Sequence, residues 1–271
     1  MSLKKLKYPS HWIEAKSQGR KIVMATCYDF SMARLLSRTN LDVLLVGDSM
    51  GTAVQGKRST VSVTLDQIIY HAEMVRRGAP DHFLLVDLPA GSYHASVESA
   101  VNNAMRVMKE TGADGLKLEG SSPFLLSAIK QIVESGIPVM GHSGLTPQSY
   151  LTAGGYRVQG KTDESLAHLK EAALQLEEAG CFGLLLELVE SEAARVITES
   201  ISIPTIGIGA GPHTSGQVLV YHDMLGLDPE FSPKHNRKYA NLADTIIEAM
   251  NTYASDVGEG RFPAPENSFL K

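Results

Sequence analysis

The chain has 271 residues, 43% of them hydrophobic and 20% charged, with 24 glycines and no low-complexity bias. At about 150 residues per domain this length suits two modest domains or one α/β barrel, and the apolar content excludes disordered and fibrous classes. The 25 Lys and Arg residues against 30 Asp and Glu leave a net charge of -5, which provides no basic footprint for nucleic acid or an anionic membrane and points to a small-molecule partner.

At the N-terminus Lys4, Lys5 and Lys7 lead into Tyr8-Pro9-Ser10-His11 rather than an apolar stretch, so no secretory signal is read there. Short apolar runs then recur at 22–26, 43–46, 83–86, 115–118, 138–140, 182–186, 204–208 and 218–221. Each follows a Gly, Asp or Pro breaker and ends in a polar or glycine cluster, the pattern of parallel strands buried on both faces. All are far shorter than the 18 or more residues of a membrane span, so a cytoplasmic protein is expected.

Helical periodicity marks several of the intervals. The stretch 96–111 carries Val97, Val101, Ala104 and Met108, and 164–179 carries Leu166, Leu169, Ala173 and Leu176. Gly112, Gly136 and Gly180 stand where such helices must stop, supplying the left-handed cap before the next strand. Eight strands with helix-like stretches between several of them predict a (β/α)8 barrel, and no Pro/Gly/Ser-rich linker divides the middle of the chain. The expectation is one barrel domain over 1–271, with an N-terminal extension, a helix near 239–253 and a C-terminal tail. Cys27 and Cys181 sit among apolar neighbours, too few for a disulfide framework, and read as core residues of a protein from a reducing compartment.

Ionisable residues fall at the strand ends. Asp48, Asp87, Glu119, His142 and Glu187 each close or follow an apolar run, and in a barrel those ends meet at one rim. Singly, an Asp after a strand is a helix cap or turn former, and His142 is a packed strand-end histidine. Together, converging carboxylates repel one another unless a proton or cation intervenes, which makes Mg²⁺ the economical hypothesis. Zinc is disfavoured, since HExxH is absent and neither cysteine has ligand spacing. Lys117, two residues before Glu119, projects to the same face of its strand, where it contacts an anionic substrate or pairs with a structural carboxylate.

Two glycine-rich stretches have weaker readings. Gly207-Ile208-Gly209-Ala210-Gly211 lacks the third glycine of a dinucleotide fingerprint, since position 212 is Pro. It suits a tight turn or a phosphate cradle after the seventh strand. The polar stretch 154–161 suits a rim loop or an inert connection.

Several motifs in order carry a resemblance: Thr26-Cys27-Tyr28-Asp29, Gly47-Asp48-Ser49-Met50-Gly51, Asp87-Leu88-Pro89, Lys117-Leu118-Glu119-Gly120, Gly141-His142-Ser143-Gly144-Leu145-Thr146-Pro147-Gln148-Ser149, and Gly154-Gly155-Tyr156-Arg157-Val158-Gln159-Gly160. Over nearly its whole length the chain resembles the 3-methyl-2-oxobutanoate (ketopantoate) hydroxymethyltransferases. The resemblance implies a (β/α)8 barrel, usually a homodecamer, that makes 2-dehydropantoate from 3-methyl-2-oxobutanoate and 5,10-methylenetetrahydrofolate on the way to pantothenate and coenzyme A. It maps the Mg²⁺ site to Asp48 and Asp87, with Glu119 as a further ligand. Oxo-acid contacts map to Asp48, Ser49, Asp87 and Lys117, and the proton acceptor to Glu187; His142, at the same rim, is expected as a further substrate contact.

The chain departs from the family pattern at Ala90 (commonly Phe), Ser215 (commonly Asp), Cys27 (usually Ala) and Asn267 (commonly His). None is a proposed ligand or base. The rim loop around Tyr156 is the expected folate contact. Two other readings stay open: a Mg²⁺-dependent carbon–carbon lyase related to phosphoenolpyruvate mutase, which would use the same carboxylate rim, and a non-catalytic sensor built on a barrel.

Overall fold

A computed structural model describes residues 6–152, 154–155, 157–231 and 233–269. It comprises two compact units, divided in the sequence between Val220 and Tyr221.

The first unit runs α1 (Pro9–Ser17), β1 (Ile22–Thr26), α2 (Phe30–Leu36), β2 (Val43–Val46), α3 (Met50–Ala53), α4 (Leu65–Gly78), β3 (Phe83–Asp87), α5 (Val97–Thr111), β4 (Gly115–Glu119) and α6 (Pro123–Glu134). It continues through β5 (Val139–Gly144), α7 (Asp163–Glu178), β6 (Gly183–Glu187), α8 (Ser191–Ser200), β7 (Thr205–Ile208) and β8 (Gly216–Leu219). The eight strands pair in sequence order, all parallel, and β8 closes on β1, which is the expected (β/α)8 barrel.

Every residue of β2 and β3 is buried, because the inner face lines the barrel and the outer face lies under helices. The helices form where the pattern placed them. Ser96 caps α5 by accepting from the Ser99 N–H, the helix buries Ala100, Ala104 and Val107, and Gly112 ends it at φ 66°. Gly136 and Gly180 likewise adopt positive φ.

Strand ends differ from the sequence reading where pairing decides them. β5 continues past residue 140 because its ladder with β6 runs on to the pair Gly144 and Glu187. β8 starts at Gly216, which pairs with Ile22 on one side and Ile206 on the other, and it ends two residues before the expected position 221.

Alternation along the strands directs one column of residues from each strand into the barrel. Deep in the barrel the column is apolar: Val43, Phe83, Leu85, Met140, Leu185 and Ile206 belong to one core cluster. Two residues further toward the carboxyl ends it turns polar, with Asp87 after Leu85, His142 after Met140 and Glu187 after Leu185. The opposite end is sealed by α1. Trp12 is fully buried there, with its ring 5.2 Å from those of Phe83 and Phe182. Lys16 of the same helix donates to the carbonyls of Thr198 (2.7 Å), Ile201 (2.7 Å) and Ile203 (2.9 Å), satisfying main-chain acceptors at and just beyond the end of α8.

The second unit holds α9 (Tyr221–Met224) and α10 (Leu242–Gly258). The helix expected at 239–253 begins at Leu242, because the N–H groups just before and at its start are engaged with the α9 turn: Tyr239 donates to Met224 and Leu242 to Leu225. It leaves Ile247, Met250 and Tyr253 more than half exposed. Among the described residues no helix is long and apolar enough to cross a membrane.

Candidate active site

Strand register assembles the polar rim. On adjacent strands Asp87 is the register partner of Lys117, Glu119 of His142, and Gly144 of Glu187. Residues far apart in the chain thereby become neighbours, and Asp48, Asp87, Lys117, Glu119 and His142 are each no more than 5% exposed. Glu187 stands nearer the opening, with 21% of its side-chain surface accessible.

Asp48 reaches the rim through a turn that glycine makes feasible. A Cβ at Gly47 would lie 2.9 Å from Ser49 Oγ and 3.2 Å from Asp87 Oδ2. The Asp48 N–H then donates to Asp87 Oδ2 at 3.1 Å. Ser49 Oγ shares a hydrogen bond of 2.8 Å with the Tyr28 hydroxyl and makes none to the carboxylates.

Lys117 is the cation of the cluster. Its Nζ lies 3.2 Å from Asp87 Oδ1, 3.8 Å from Glu119 Oε1 and 3.3 Å from His142 Nδ1. Burial acts to lower its pKa, but Asp87, Glu119, Asp48 and Glu187 together raise it above the ordinary lysine value. His142 spans the site, with Nδ1 3.4 Å from Glu119 Oε1 and Nε2 3.5 Å from Glu187 Oε2. Burial, with Lys117 beside it, lowers the imidazole pKa, so the ring is neutral near pH 7. Lys117 Nζ and Glu119 Oε1 both face Nδ1, and Nε2 is buried without a hydrogen-bond partner.

The carboxylates respond unequally. Burial first, then mutual repulsion, raises Asp48, and burial likewise raises Asp87 against the pull of Lys117. Burial also acts to raise Glu119, but His142, Lys117 and the Gln148 N–H outweigh it and lower that carboxyl. With the imidazole neutral, Lys117 is the counter-ion that keeps Glu119 charged. Burial, then repulsion from Glu119, pushes Glu187 up to about 8, and its access to solvent at the rim bounds that rise from above.

The backbone places Glu187 under constraint. Leu188, directly after it, has φ 46°, an uncommon conformation for a residue with a branched side chain. Across the ladder Gly144 is obligatory: a Cβ there would come within 2.3 Å of the Glu187 carbonyl. Gln159 fastens the rim loop beside this base, donating from its N–H to Leu188 O at 2.7 Å and accepting from the Glu190 N–H at 2.9 Å. Tyr156, expected to contact folate, lies outside the described residues.

The donor set fits a hard cation. Asp87 Oδ1 is buried without a hydrogen-bond donor, and a single lysine faces four carboxylates. Among the described residues no three His, Cys, Asp or Glu side chains already close around one point. Mg²⁺ requires no such cage, since it binds through one or two carboxylates and keeps its other positions for water and substrate.

All seven residues singled out in the sequence converge on this rim. The sequence assigned no role to Gln148, which binds the Asp48 and Glu119 carboxylates from a loop, or to Tyr93, whose hydroxyl bonds the Gln148 amide and the Glu119 main chain; Gln148 lies inside a quoted motif, whereas Tyr93 belongs to none. Of the remaining features, Gly209 and Gly211 adopt positive φ in a turn, with Gly211 packed against Ser191. Ser215 ties β7 to β8 through two hydrogen bonds with Thr205. Cys27 and Cys181 are buried free thiols that burial pushes up to about 12.

Comparison with known proteins decides the family. The family model described as ketopantoate hydroxymethyltransferase matches residues 8–265. The chain is 50% identical over 252 residues to the 3-methyl-2-oxobutanoate hydroxymethyltransferase of Leptospira biflexa serovar Patoc, covering 93% of this chain and 94% of that protein. It is 48% identical over 256 residues to the enzyme of that name from Clostridium botulinum, covering 94% and 93%.

The chain belongs to the ketopantoate hydroxymethyltransferase family.

As a member of that family it is a transferase, which sets aside the sensor reading. Among solved structures, the phosphoenolpyruvate phosphomutase of Streptomyces platensis subsp. rosaceus superposes with a TM-score of 0.61 at 13% identity, over 96% of this chain and 92% of that one. That likeness is one of fold. The hydroxymethyltransferase assignment rests on the sequence relatives.

Proposed function

We propose that the enzyme transfers a hydroxymethyl group from 5,10-methylenetetrahydrofolate to 3-methyl-2-oxobutanoate, forming 2-dehydropantoate for pantothenate and coenzyme A synthesis. The observation that carries this reading is the single rim on which a buried acidic pair, Asp48 and Asp87, stands with the buried ammonium of Lys117 and a carboxylate of raised pKa, Glu187.

The carbon 3 proton of the oxo acid is a weak acid, so its removal needs a base at the carbon and an electron sink at the 2-oxo oxygen. Asp48 and Asp87 would hold Mg²⁺, with Glu119 as a further ligand, and when bound the ion supplies Lewis acidity toward that oxygen. Lys117 neutralises the substrate carboxylate and orients it, and Ser49 adds a contact beside Asp48. Glu187 takes the carbon 3 proton onto its carboxylate. Carbon 3 then forms a bond to the one-carbon unit as that unit's bond to a folate nitrogen breaks. The proton held by Glu187 passes to that nitrogen, water forms the carbon–oxygen bond as the unit's second carbon–nitrogen bond breaks, the water proton passes to the second nitrogen, and tetrahydrofolate leaves. The rim loop 154–161 is proposed to meet the folate.

The same reading includes action in the cytoplasm as a homo-oligomer, the decamer implied by the resemblance; light scattering measures that state directly. The reaction is tested by proton NMR of 3-methyl-2-oxobutanoate in D₂O with protein and Mg²⁺. Loss of the carbon 3 proton signal that chelator or Glu187→Gln abolishes supports the enolising half. Failure to form 2-dehydropantoate when methylenetetrahydrofolate is added overturns the reading.

A further inference from the structure

Gln148 lies in the single turn Pro147–Ser149 between β5 and α7, and it meets three parts of the rim at once. Its Nε2 donates to Asp48 Oδ2 at 2.8 Å and to Leu88 O at 3.0 Å, and its main-chain N–H donates to Glu119 Oε2 at 3.0 Å. Its Oε1 accepts from the Tyr93 hydroxyl at 2.6 Å, and the same hydroxyl accepts from the Glu119 N–H at 3.1 Å. Reversing the amide would set Oε1 against a carboxylate and a carbonyl, so the surroundings admit one orientation. Tyr93 is fully buried, and its hydroxyl holds the amide oxygen from that side.

Each acidic partner thereby gives one oxygen to an N–H donor. Asp48 commits Oδ2 to the Gln148 amide and Glu119 commits Oε2 to its main chain, just as Asp87 commits Oδ2 to the Asp48 N–H. On the side away from these donors, Asp87 Oδ1 and Glu119 Oε1 lie 3.2 Å and 3.8 Å from Lys117 Nζ.

We propose that Gln148, oriented by Tyr93, is a positioning residue of this enzyme: it aims the Asp48 carboxylate, and through its main chain Glu119, at the divalent-cation site. The proposal rests on the reading that Asp48 and Asp87 bind such a cation. Partners in the outer shell of a metal site restrict the ligands to productive orientations, and their loss typically weakens metal binding by about 10- to 100-fold.

The test uses the full-length chain stripped of metal, with Mn²⁺ alone as the probe and free Mn²⁺ counted by electron paramagnetic resonance. Gln148→Met keeps the side chain's length and the main-chain N–H but removes the donor to Asp48 and the acceptor for Tyr93. It is expected to stay folded by circular dichroism and to bind Mn²⁺ about 10- to 100-fold more weakly. Tyr93→Phe, which keeps every atom of Gln148, is expected to weaken binding several-fold. A folded Gln148→Met that binds Mn²⁺ within twofold of the wild type overturns the proposal while leaving the cation reading intact. Should Gln148→Met fail to fold, unchanged affinity in Tyr93→Phe overturns it. A wild-type chain that binds no Mn²⁺ removes the cation reading and the proposal with it.

Discussion

The main-chain N–H of Asp48 donates to Asp87 Oδ2 at 3.1 Å, locking the carboxyl groups of two neighbouring strand ends side by side. The other Asp87 oxygen is left buried without a hydrogen-bond donor, although Lys117 Nζ lies 3.2 Å away. Asp87→Asn keeps the shape and removes the charge. Its affinity for Mg²⁺, measured by calorimetry on the folded protein, is expected to fall at least about 10-fold. An affinity equal to the wild type's would exclude Asp87 as a ligand.

Glu187 offers a test by pH. Its ionised form is the base, so exchange of the carbon 3 proton should fall as pH drops through its pKa. Burial has raised that pKa to about 8. Positive charge bound at the neighbouring acidic pair favours the carboxylate and moves the midpoint downward. At fixed Mg²⁺ the exchange rate is therefore expected to rise with pH and level off near or below the value set by burial alone. Glu187→Gln should lower the rate by about 10² to 10⁴ while oxo-acid binding persists. Wild-type exchange in that variant would reassign the base.

Removing Lys117 should cost stability. Lys117→Met leaves Asp87 and Glu119 buried without their cation, and breaking one side of such an arrangement costs about 3–5 kcal/mol. Urea unfolding at neutral pH should show the loss. The deficit should shrink as pH falls, because protonated carboxyls need no counter-ion. A deficit independent of pH would mean that packing, rather than charge, is what the lysine contributes.

Lys16 acts at the opposite end of the barrel, where its ammonium meets three carbonyls around the end of α8. Lys16→Met should destabilise the fold by about 2–3 kcal/mol, the scale of hydrogen bonds to a charged donor whose acceptors lose their partner. Steady-state rates below the melting transition should match the wild type's, since Lys16 touches nothing at the rim. Reduced kcat at full folding would contradict that separation.

Much of this molecule follows from local sequence. Apolar runs between breakers specify buried parallel strands, helical periodicity with glycine stops specifies the intervening helices, and alternation of the two specifies a barrel whose strand ends share a rim. Asp48, Asp87, Glu119, His142 and Glu187 could be placed on that rim because each follows an apolar run within two residues. Other features depend on partners distant in the chain. β5 extends to Gly144 because β6 continues its ladder, and Trp12 becomes a plug because Phe83 and Phe182 face it across the barrel floor. Gln148 and Tyr93 are polar loop residues with no periodicity to mark them, and only the folded chain brings their donors and acceptors onto Asp48 and Glu119. Residue type and spacing are properties of one segment, whereas register, burial depth and the identity of a hydrogen-bond partner arise between segments, so only the tertiary structure could decide them.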